Sequence, residues 1–293
     1  MRVCDLDLGF KEDKMLRQIL AIFLVLLAKL WANEAESSLL KQGFYKSVGI
    51  GGGYYYYGEV IRNDEFFMRL DNLVFNLAGN VGYITRFGLK LDAYIDANFA
   101  LGIYTGGVQD TVKRENNGRY AMNASMSTYY HAQTLLGYNF LAFLTPNASL
   151  YLQAGGGYYF NRHDLNSYER LQGYVYVPIE LESEIVLNDK WALNLMGGFK
   201  YFIFGHHLTQ TTKQHFDRDF NASQKNGLGA SGFVGARYRT KSGEINSFGL
   251  RYEYWHIGHS SIGYMTDYAG NYDGAVEPKN TSHIVTFQYA WEF

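Results

Sequence analysis

A histidine and a serine near the end of the chain have the spacing of a nucleophile and its base. His259 and Ser261 are two residues apart, so on an extended strand their side chains point to the same face. A neutral imidazole next to a serine hydroxyl can accept its proton and make the oxygen a nucleophile. The base needs a third group to orient it, and Glu253 is the acid that precedes it. These three residues are the catalytic candidates, and an ordinary polar loop base is the alternative interpretation.

A second set of histidines and acids lies in segment 206–226. Together with Asp110, an acid and a histidine there could activate water for peptide cleavage. The same residues could bind a metal ion, but the histidines are irregularly spaced and no carboxylate is clearly placed to complete a site. We therefore expect no metal and no cofactor. The residues of this set are His206, His207, His215, Asp217 and Asp219.

Charged residues recur at every second position of several segments. In segment 173–187, glutamates alternate with apolar residues such as Leu181, which places the carboxylates on one face of a strand. Opposite charges on neighbouring strands of a narrow barrel should pair. We expect a lumen charge network that consists of Glu180, Glu182, Glu184, Lys200, Arg237, Arg239, Arg251 and Glu253. It is interpreted as structural filling of the lumen, and a charged constriction in a narrow channel is the alternative.

The elements that must position these residues are strands. Aromatic residues make up 17% of the 293 residues, with 32 Gly and only 3 Pro, a composition that favours strands over helices. Residues 89–103 alternate between apolar and polar side chains, as do the final residues from His283 onward. A long strand with one wholly apolar face needs either a second sheet or a lipid environment.

Ten such segments are present, and their connections alternate between short and long. The segments are about 44–60, 70–86, 88–104, 127–143, 148–160, 173–187, 190–205, 227–240, 245–258 and 281–293. The longer connections are 61–69, 105–126, 161–172, 206–226 and 259–280. This pattern predicts an all-β fold, a transmembrane antiparallel up-and-down β-barrel of about ten strands. A soluble β-sandwich gives no reason for the alternation.

The first residues have the order of a secretory signal peptide. Lys14 and Arg17 precede an apolar run over residues 19–28, and Ala32 follows it. We expect residues 1–14 to be an upstream mis-start, 15–32 a cleaved signal peptide and 33–293 the outer-membrane barrel domain. The only cysteine, Cys4, lies in this leader, so no disulfide is expected.

Both ends of the predicted barrel resemble known outer-membrane proteins. Phe287, Tyr289, Trp291 and the terminal Phe293 share one strand face, which resembles the C-terminal signature read by the outer-membrane assembly machinery. Residues 43–54, GFYKSVGIGGGY, are similar to the first strand of Helicobacter-type outer-membrane proteins. The resemblance implies an integral barrel, in a family whose members include pores and surface adhesins.

Short parts of the sequence resemble two enzyme families. The spacing of His259 and Ser261 resembles the motif of lipid A 3-O-deacylases, although Ile262 stands where that motif has Asn. An acid and a histidine in a loop of a ten-stranded barrel resemble the omptin proteases.

The sequence as a whole predicts a non-enzymatic protein of a Gram-negative outer membrane. Its five loops would be extracellular and its termini periplasmic. The functional surface, with a binding or structural role, would consist of loops 105–126, 206–226 and 259–280. Expected partners are outer-membrane lipids and lipopolysaccharide, the assembly machinery, and a host or surface ligand at the loops. The formal charge of −2 argues against nucleic acid. The alternatives are a narrow porin-like channel and a lipid A deacylase or omptin-like protease.

Overall fold

The computed structural model describes residues 39–61, 64–109, 116–164 and 169–293, except for the side chains of 107–109, 116–123 and 273. The predicted leader and Asp110 lie outside these residues. Thirteen strands are present in the described part of the chain. They are β1 (Gly43–Val60), β2 (Phe66–Ile84), β3 (Leu89–Gln109), β4 (Asn116–Asn139), β5 (Ala148–Asp164), β6 (Glu169–Asn188), β7 (Trp191–Thr209), β8 (Phe220–Gln224), β9 (Gly227–Arg239), β10 (Ile245–Ile257), β11 (Gly263–Thr266), β12 (Tyr272–Ala275) and β13 (Lys279–Glu292).

Ten of these strands close into an antiparallel barrel. Strands β1 to β7 pair in chain order, and the sheet continues through β9, β10 and β13. It closes where β13 pairs with β1, with Glu292 opposite Ser47 and Lys279 opposite Val60. No edge is therefore left between the first and last barrel strands. The predicted fold class is confirmed.

The loops are shorter than the sequence pattern predicts. Strand β3 continues to Gln109 and β4 begins at Asn116, so most of the expected loop 105–126 is strand. The expected loop 161–172 is likewise reduced, because β5 ends at Asp164 and β6 begins at Glu169. Strands pair through backbone groups and can therefore extend beyond the alternating part of the sequence. The apolar alternation marks only the part of a strand that carries an apolar outer face.

Two of the long loops contain structure of their own. The loop after β7 forms a single 3₁₀ turn at Thr211–Gln214 and then β8, which pairs back onto the end of β7. The loop after β10 folds into the β11–β12 hairpin. These short strands carry little alternation, which is why the sequence pattern did not indicate them.

The two faces of the barrel wall differ sharply in composition. Leu73, Leu101 and Phe287 point outward and are at least half exposed, whereas Lys90 and Asn98 point inward and are buried. Exposed large hydrophobic residues surround the barrel, the reverse of a soluble protein. Such a wall requires lipid outside it. No helix in the described part of the chain is long and apolar enough to cross a membrane.

Glycines inside the barrel make room for large rings. A Cβ on Gly157 would lie 2.2 Å from the ring of Tyr176, and one on Gly229 would lie 2.8 Å from Trp255. The aromatic rings therefore lie flat over neighbouring strands where glycine leaves space. This pairing explains why Gly and aromatic residues are both abundant in the sequence.

Candidate functional site in the barrel lumen

The barrel has two unlike ends. We call the end with the connections at 85–88, 140–147, 189–190 and 240–244 the short-turn end. We call the opposite end, which carries the β8 extension and the β11–β12 hairpin, the long-loop end. The lumen is filled in layers between them.

Ion pairs line the lumen at the short-turn end. The Lys90 ammonium lies 2.6 Å from Glu182 Oε2 and 3.9 Å from Asp92 Oδ2. Asp92 also accepts hydrogen bonds from the Tyr45 hydroxyl and from Asn80. Lys90 and Asp92 are both buried, so each charge is compensated by groups on other strands.

Arg237 contacts several strands at the short-turn end of the barrel. Its guanidinium lies 2.6 Å from Glu292 Oε2 and 3.4 Å from Glu184 Oε2, and it also donates to the carbonyl of Leu39. Lys41 adds a second cation 3.7 Å from Glu184. Strands β6, β9 and β13 are thus joined through one buried guanidinium.

A polar cavity of about 130 Å³ is lined in part by the residues of these ion pairs. Its lining includes Asp92, Tyr94, Gln133, Glu180 and Arg251. A cavity of this size and polarity can hold several water molecules. It is a part of the lumen with room for water.

Near mid-barrel, beyond the cavity, four ionisable side chains meet. His131 Nδ1 is 3.5 Å from Asp96 Oδ2 and 3.4 Å from Glu253 Oε1. The Lys200 ammonium is 3.0 Å from the same oxygen of Glu253 and lies over the rings of Tyr176 and Trp255. All four ionisable residues are buried.

An aromatic layer crosses the lumen on the long-loop side of this cluster. Its members are Tyr55, Tyr57, Tyr129, Tyr159, Tyr174, Tyr176 and Trp255, each at most 2% exposed. The Trp255 ring lies 5.1 to 5.6 Å from the rings of Tyr176, Tyr174 and Tyr159, and further ring contacts continue to Tyr129 and Tyr55. Contacting rings therefore extend from β10 to β1 across the interior.

A polar cluster covers the aromatic layer toward the long-loop end. The Arg170 guanidinium contacts Glu59 at 2.5 Å and also Glu277. The Glu277 carboxylate also accepts from Gln172 at 2.7 Å and lies 3.1 Å from His207 Nε2. All five residues are buried. Because Glu277 belongs to the link before β13, this cluster ties the last loop to the barrel wall.

The structure places the predicted lumen charges inside the barrel but pairs them differently from the expected cross-strand pattern. Lys200 is opposite Pro178 on β6 rather than opposite a glutamate, and its partner is Glu253 on β10. Glu182 is opposite Met196 and its partner is Lys90. Arg251 lies 4.0 Å from Glu253, Glu180 accepts from Gln133, and Arg239 is half-buried at the end of β9. The ion pairs form across the narrow lumen, so register alone does not select them.

The predicted catalytic residues are not brought together. His259 is exposed, and its Nδ1 bonds the carbonyl of Ser260. Ser261 Oγ accepts from the backbone N–H of Ser223. Glu253 lies deeper on β10, next to Lys200. The expected base, nucleophile and orienting acid therefore have separate partners.

The histidines and acids of segment 206–226 are also dispersed. His206 is on the outer wall next to Tyr158, whereas His207 points into the lumen. His215 packs against Tyr268, Asp217 pairs with Arg218, and Asp219 accepts from Thr212. These residues satisfy local structure and form no common site.

Sequence reasoning missed several inward residues. Asp96 and His131 lie at polar positions of alternating segments, so the signal for their inward direction was present, whereas Arg170 lies in the predicted connection 161–172. Asp96 is directly opposite His131 on the neighbouring strands β3 and β4, whereas Glu253 on β10 joins them only through closure of the barrel.

Comparison with known proteins supports the fold. No family model matches the chain, and no curated protein is significantly similar to it in sequence. The outer membrane protease OmpT from Escherichia coli has a similar structure, with a TM-score of 0.60 and 11% identity over 88% of this chain and 99% of that chain. OprG from Pseudomonas aeruginosa matches with a TM-score of 0.36 and 9% identity, over 86% of this chain and 97% of that chain. OmpT is an outer-membrane protein, and its similarity shows that the two chains share a fold.

Proposed function

We propose that this protein is a non-enzymatic anchor in a bacterial outer membrane, with a closed lumen and a binding surface at its long-loop end. The apolar outer wall supports membrane insertion. The resemblance of residues 43–54 and of the final strand supports a protein of the Helicobacter type with a cleaved leader. The short turns would lie in the periplasm and the long loops outside, as in other barrels of this kind.

The aromatic layer is the observation that carries this proposal. A conducting pore needs a continuous path of water along the barrel. Here the cavity near the short-turn end is followed by the buried mid-barrel ion pairs and then by the aromatic layer. The polar cluster around Arg170 adds a further packed layer. The cavity therefore ends blind.

The long-loop end offers a surface that suits binding. The β11–β12 hairpin exposes Tyr264, Tyr268 and Tyr272, of which Tyr268 is 74% exposed. The hairpin is held by a bond from the Thr266 N–H to Asp217 Oδ1 and by the packing of Met265 in a small apolar cluster. Exposed tyrosines on a fixed support favour recognition of a surface ligand.

A narrow channel is the second candidate. The polar cavity favours it, because its charged lining would bind small polar solutes entering from the short-turn end. For this candidate to hold, the aromatic layer would have to move. An enzyme is less well supported, because the catalytic candidates lie apart, and similarity to OmpT at 11% identity concerns the fold only.

Cysteine labelling tests the proposed orientation and surface. The only native cysteine, Cys4, lies in the predicted leader, so an introduced cysteine would be the only thiol of the mature protein. We expect Tyr268→Cys to react with a membrane-impermeant maleimide on intact cells. Ser242→Cys, in the turn between β9 and β10, should react only after the outer membrane is permeabilised. Labelling of Ser242→Cys alone on intact cells would reject the proposed display.

A further inference from the structure

Three side chains of metal-ligand type converge inside the lumen. Asp96 on β3, His131 on β4 and Glu253 on β10 place their ligand atoms within 4.8 Å of one another. All three side chains are buried. The expectation of no metal rested on the histidines and acids of segment 206–226 and did not include these three residues.

A chain of hydrogen bonds determines which nitrogen of His131 carries a proton. Gln133 Nε2 donates to Glu180 Oε1 at 3.0 Å, which orients this amide because a carboxylate can only accept. The Tyr176 hydroxyl then donates its proton to Gln133 Oε1 at 3.3 Å. The contact between the Tyr176 oxygen and His131 Nε2 must therefore use a proton on Nε2.

This arrangement leaves His131 Nδ1 facing two carboxylates, either as a lone pair that can bind a metal ion or as the second N–H of an imidazolium. Nδ1 is buried and has no hydrogen-bond partner, and the contact of Glu253 Oε1 with the Lys200 ammonium is an ion pair at 3.0 Å. Asp96 is held by a hydrogen bond from Asn98 to its other oxygen, Oδ1, so Oδ2 is the atom directed at the histidine. The Lys200 ammonium offsets one of the two carboxylates, and a cation between Nδ1 and the two oxygens, a metal ion or a proton on Nδ1, would offset the other.

The distances fit a metal ion better than a proton. Ligand bonds of about 2.0–2.2 Å to a tetrahedral Zn²⁺ place two donors roughly 3.3–3.6 Å apart. The observed separations from His131 Nδ1 are 3.5 Å to Asp96 and 3.4 Å to Glu253. Both exceed the usual length of an N–H···O bond. We propose that Asp96, His131 and Glu253 bind a divalent transition-metal ion, and that Zn²⁺ is the ion whose geometry fits.

Supporting contacts around the three ligands resemble those of other metal sites. A metal-bound histidine usually donates its second ring nitrogen to an oxygen, which fixes the ring. Tyr176 supplies that oxygen here. One His with two carboxylates is a ligand set that Zn²⁺ accepts, with the remaining position taken by water.

Lys200 opposes the metal in part. Its ammonium is 3.0 Å from Glu253 Oε1, so it repels a divalent ion bound to that oxygen. It also contacts the faces of Tyr176 and Trp255, which hold it in place when the carboxylate is shared. Replacing Lys200 with a neutral residue should therefore strengthen metal binding.

The ion has a route from the short-turn end. Tyr94, Gln133 and Arg251 line the polar cavity, and each is two positions from a ligand on the same strand face. The cavity therefore adjoins the site. A bound ion would connect β3 and β4 to β10 across the lumen, which does not depend on what the loops bind.

Cobalt spectroscopy and calorimetry test the site directly. The full chain is purified from membranes in detergent micelles, depleted of metal with a chelator and titrated with Zn²⁺. We expect one ion per chain. Co²⁺ should give the intense visible absorption of a four-coordinate ion, and Zn²⁺ should displace it.

Variants locate the ion. His131→Gln should weaken Zn²⁺ binding at least tenfold, and Tyr176→Phe about 10–100-fold, as for other residues that orient a metal-bound histidine. Lys200→Met should tighten it. His163→Gln is the matched control, because His163 is also buried but contacts Ser127 and Asn161 instead, and it should bind as the unmodified protein does. Folding of each variant is checked by heat-modifiable electrophoretic mobility.

Several results would reject the site. One is the absence of Zn²⁺ binding at millimolar concentration, which would mean that Nδ1 carries a proton instead. Another is equal Zn²⁺ affinity in His131→Gln and His163→Gln, which would place the ion elsewhere. If His131→Gln does not fold, Tyr176→Phe and Lys200→Met decide, and unchanged affinity in both would reject the proposal.

Discussion

The two halves of the lumen are filled by different kinds of side chain. Toward the short-turn end, Lys90 and Glu182 pair beside a polar cavity. Toward the long-loop end, Trp255 and the tyrosines of the aromatic layer pack without exposed surface, below the buried pairs of Arg170. We call the first half, which has room for water, the hydrated half, and the second, which is packed with buried side chains, the dry half.

This difference shows that the inward face of a barrel strand need not be uniformly polar. On β6, Gln172, Tyr174, Tyr176, Glu180 and Glu184 all point inward and are buried. Aromatic rings can occupy the interior where glycines such as Gly157 and Gly229 leave space. Polar pairs occur in both halves, beside the cavity at Lys90 and fully packed at Arg170.

Loss of the Arg170 charge should give the largest effect, because it lies in the dry half. Arg170→Met leaves Glu59 and Glu277 buried without their cation. Removing one partner of a buried ion pair costs about 3–5 kcal/mol. Urea unfolding in micelles, followed by tryptophan fluorescence, measures it. Arg162→Met is the control, because the pair of Arg162 with Glu169 is partly exposed and should contribute less than about 1 kcal/mol. Equal losses of unfolding free energy in the two variants would contradict a dry half toward the long-loop end.

The outer wall should not distinguish the two halves. Leu101→Lys and Leu181→Lys each place a charge on the exposed apolar wall. Both should lower the free energy of unfolding by about 2–4 kcal/mol if they lie near the bilayer midplane. The measurement is urea unfolding in lipid vesicles. Unchanged stability of either variant would mean that its strand face does not contact lipid.

Neutralising one charge in the hydrated half should cost less than in the dry half. Glu182→Gln removes the carboxylate that Lys90 contacts at 2.6 Å. Glu182 lines the cavity, so water can partly solvate Lys90. We therefore expect the free energy of unfolding to fall by about 1.5–3 kcal/mol. The same urea titration compares it with Arg170→Met. A larger loss for Glu182→Gln would reverse the assignment of wet and dry halves.

The smallest effect concerns the β11–β12 hairpin, outside both halves. The hydrogen bond from Arg218, followed by the bond from the Thr266 amide, holds the pKa of Asp217 below its usual value. Because the folded-state pKa is depressed, the contribution of ionised Asp217 to stability is complete above the unfolded-state pKa. This contribution is lost as the pH falls through the folded-state pKa. The chemical shift of the Thr266 amide should therefore titrate below the usual aspartate range, and Asp217→Asn should abolish the change. Titration at or above that range would show that the contact does not form.

Alternation predicted which residues face lipid but not what meets inside. Leu89, Leu91 and Leu101 lie outward on β3 as expected, and Lys90 and Asn98 lie inward. Periodicity assigns a side chain to a face because successive residues point in opposite directions. It carries no information about partners across the lumen, so the Lys90–Glu182 pair was not predictable. Asp96 and His131 are register partners on neighbouring strands, but Glu253 reaches them only across the lumen, so the cluster was missed for the same reason.

Single-channel conductance of the purified protein in a planar bilayer tests the closed lumen most directly. The unmodified protein should insert without discrete current steps, because the aromatic layer blocks the barrel. The double variant Tyr174→Ala, Trp255→Ala removes two contacting rings of that layer and should conduct when its heat-modifiable mobility shows that it is folded. A steady current through the unmodified protein would contradict the account and favour the narrow channel.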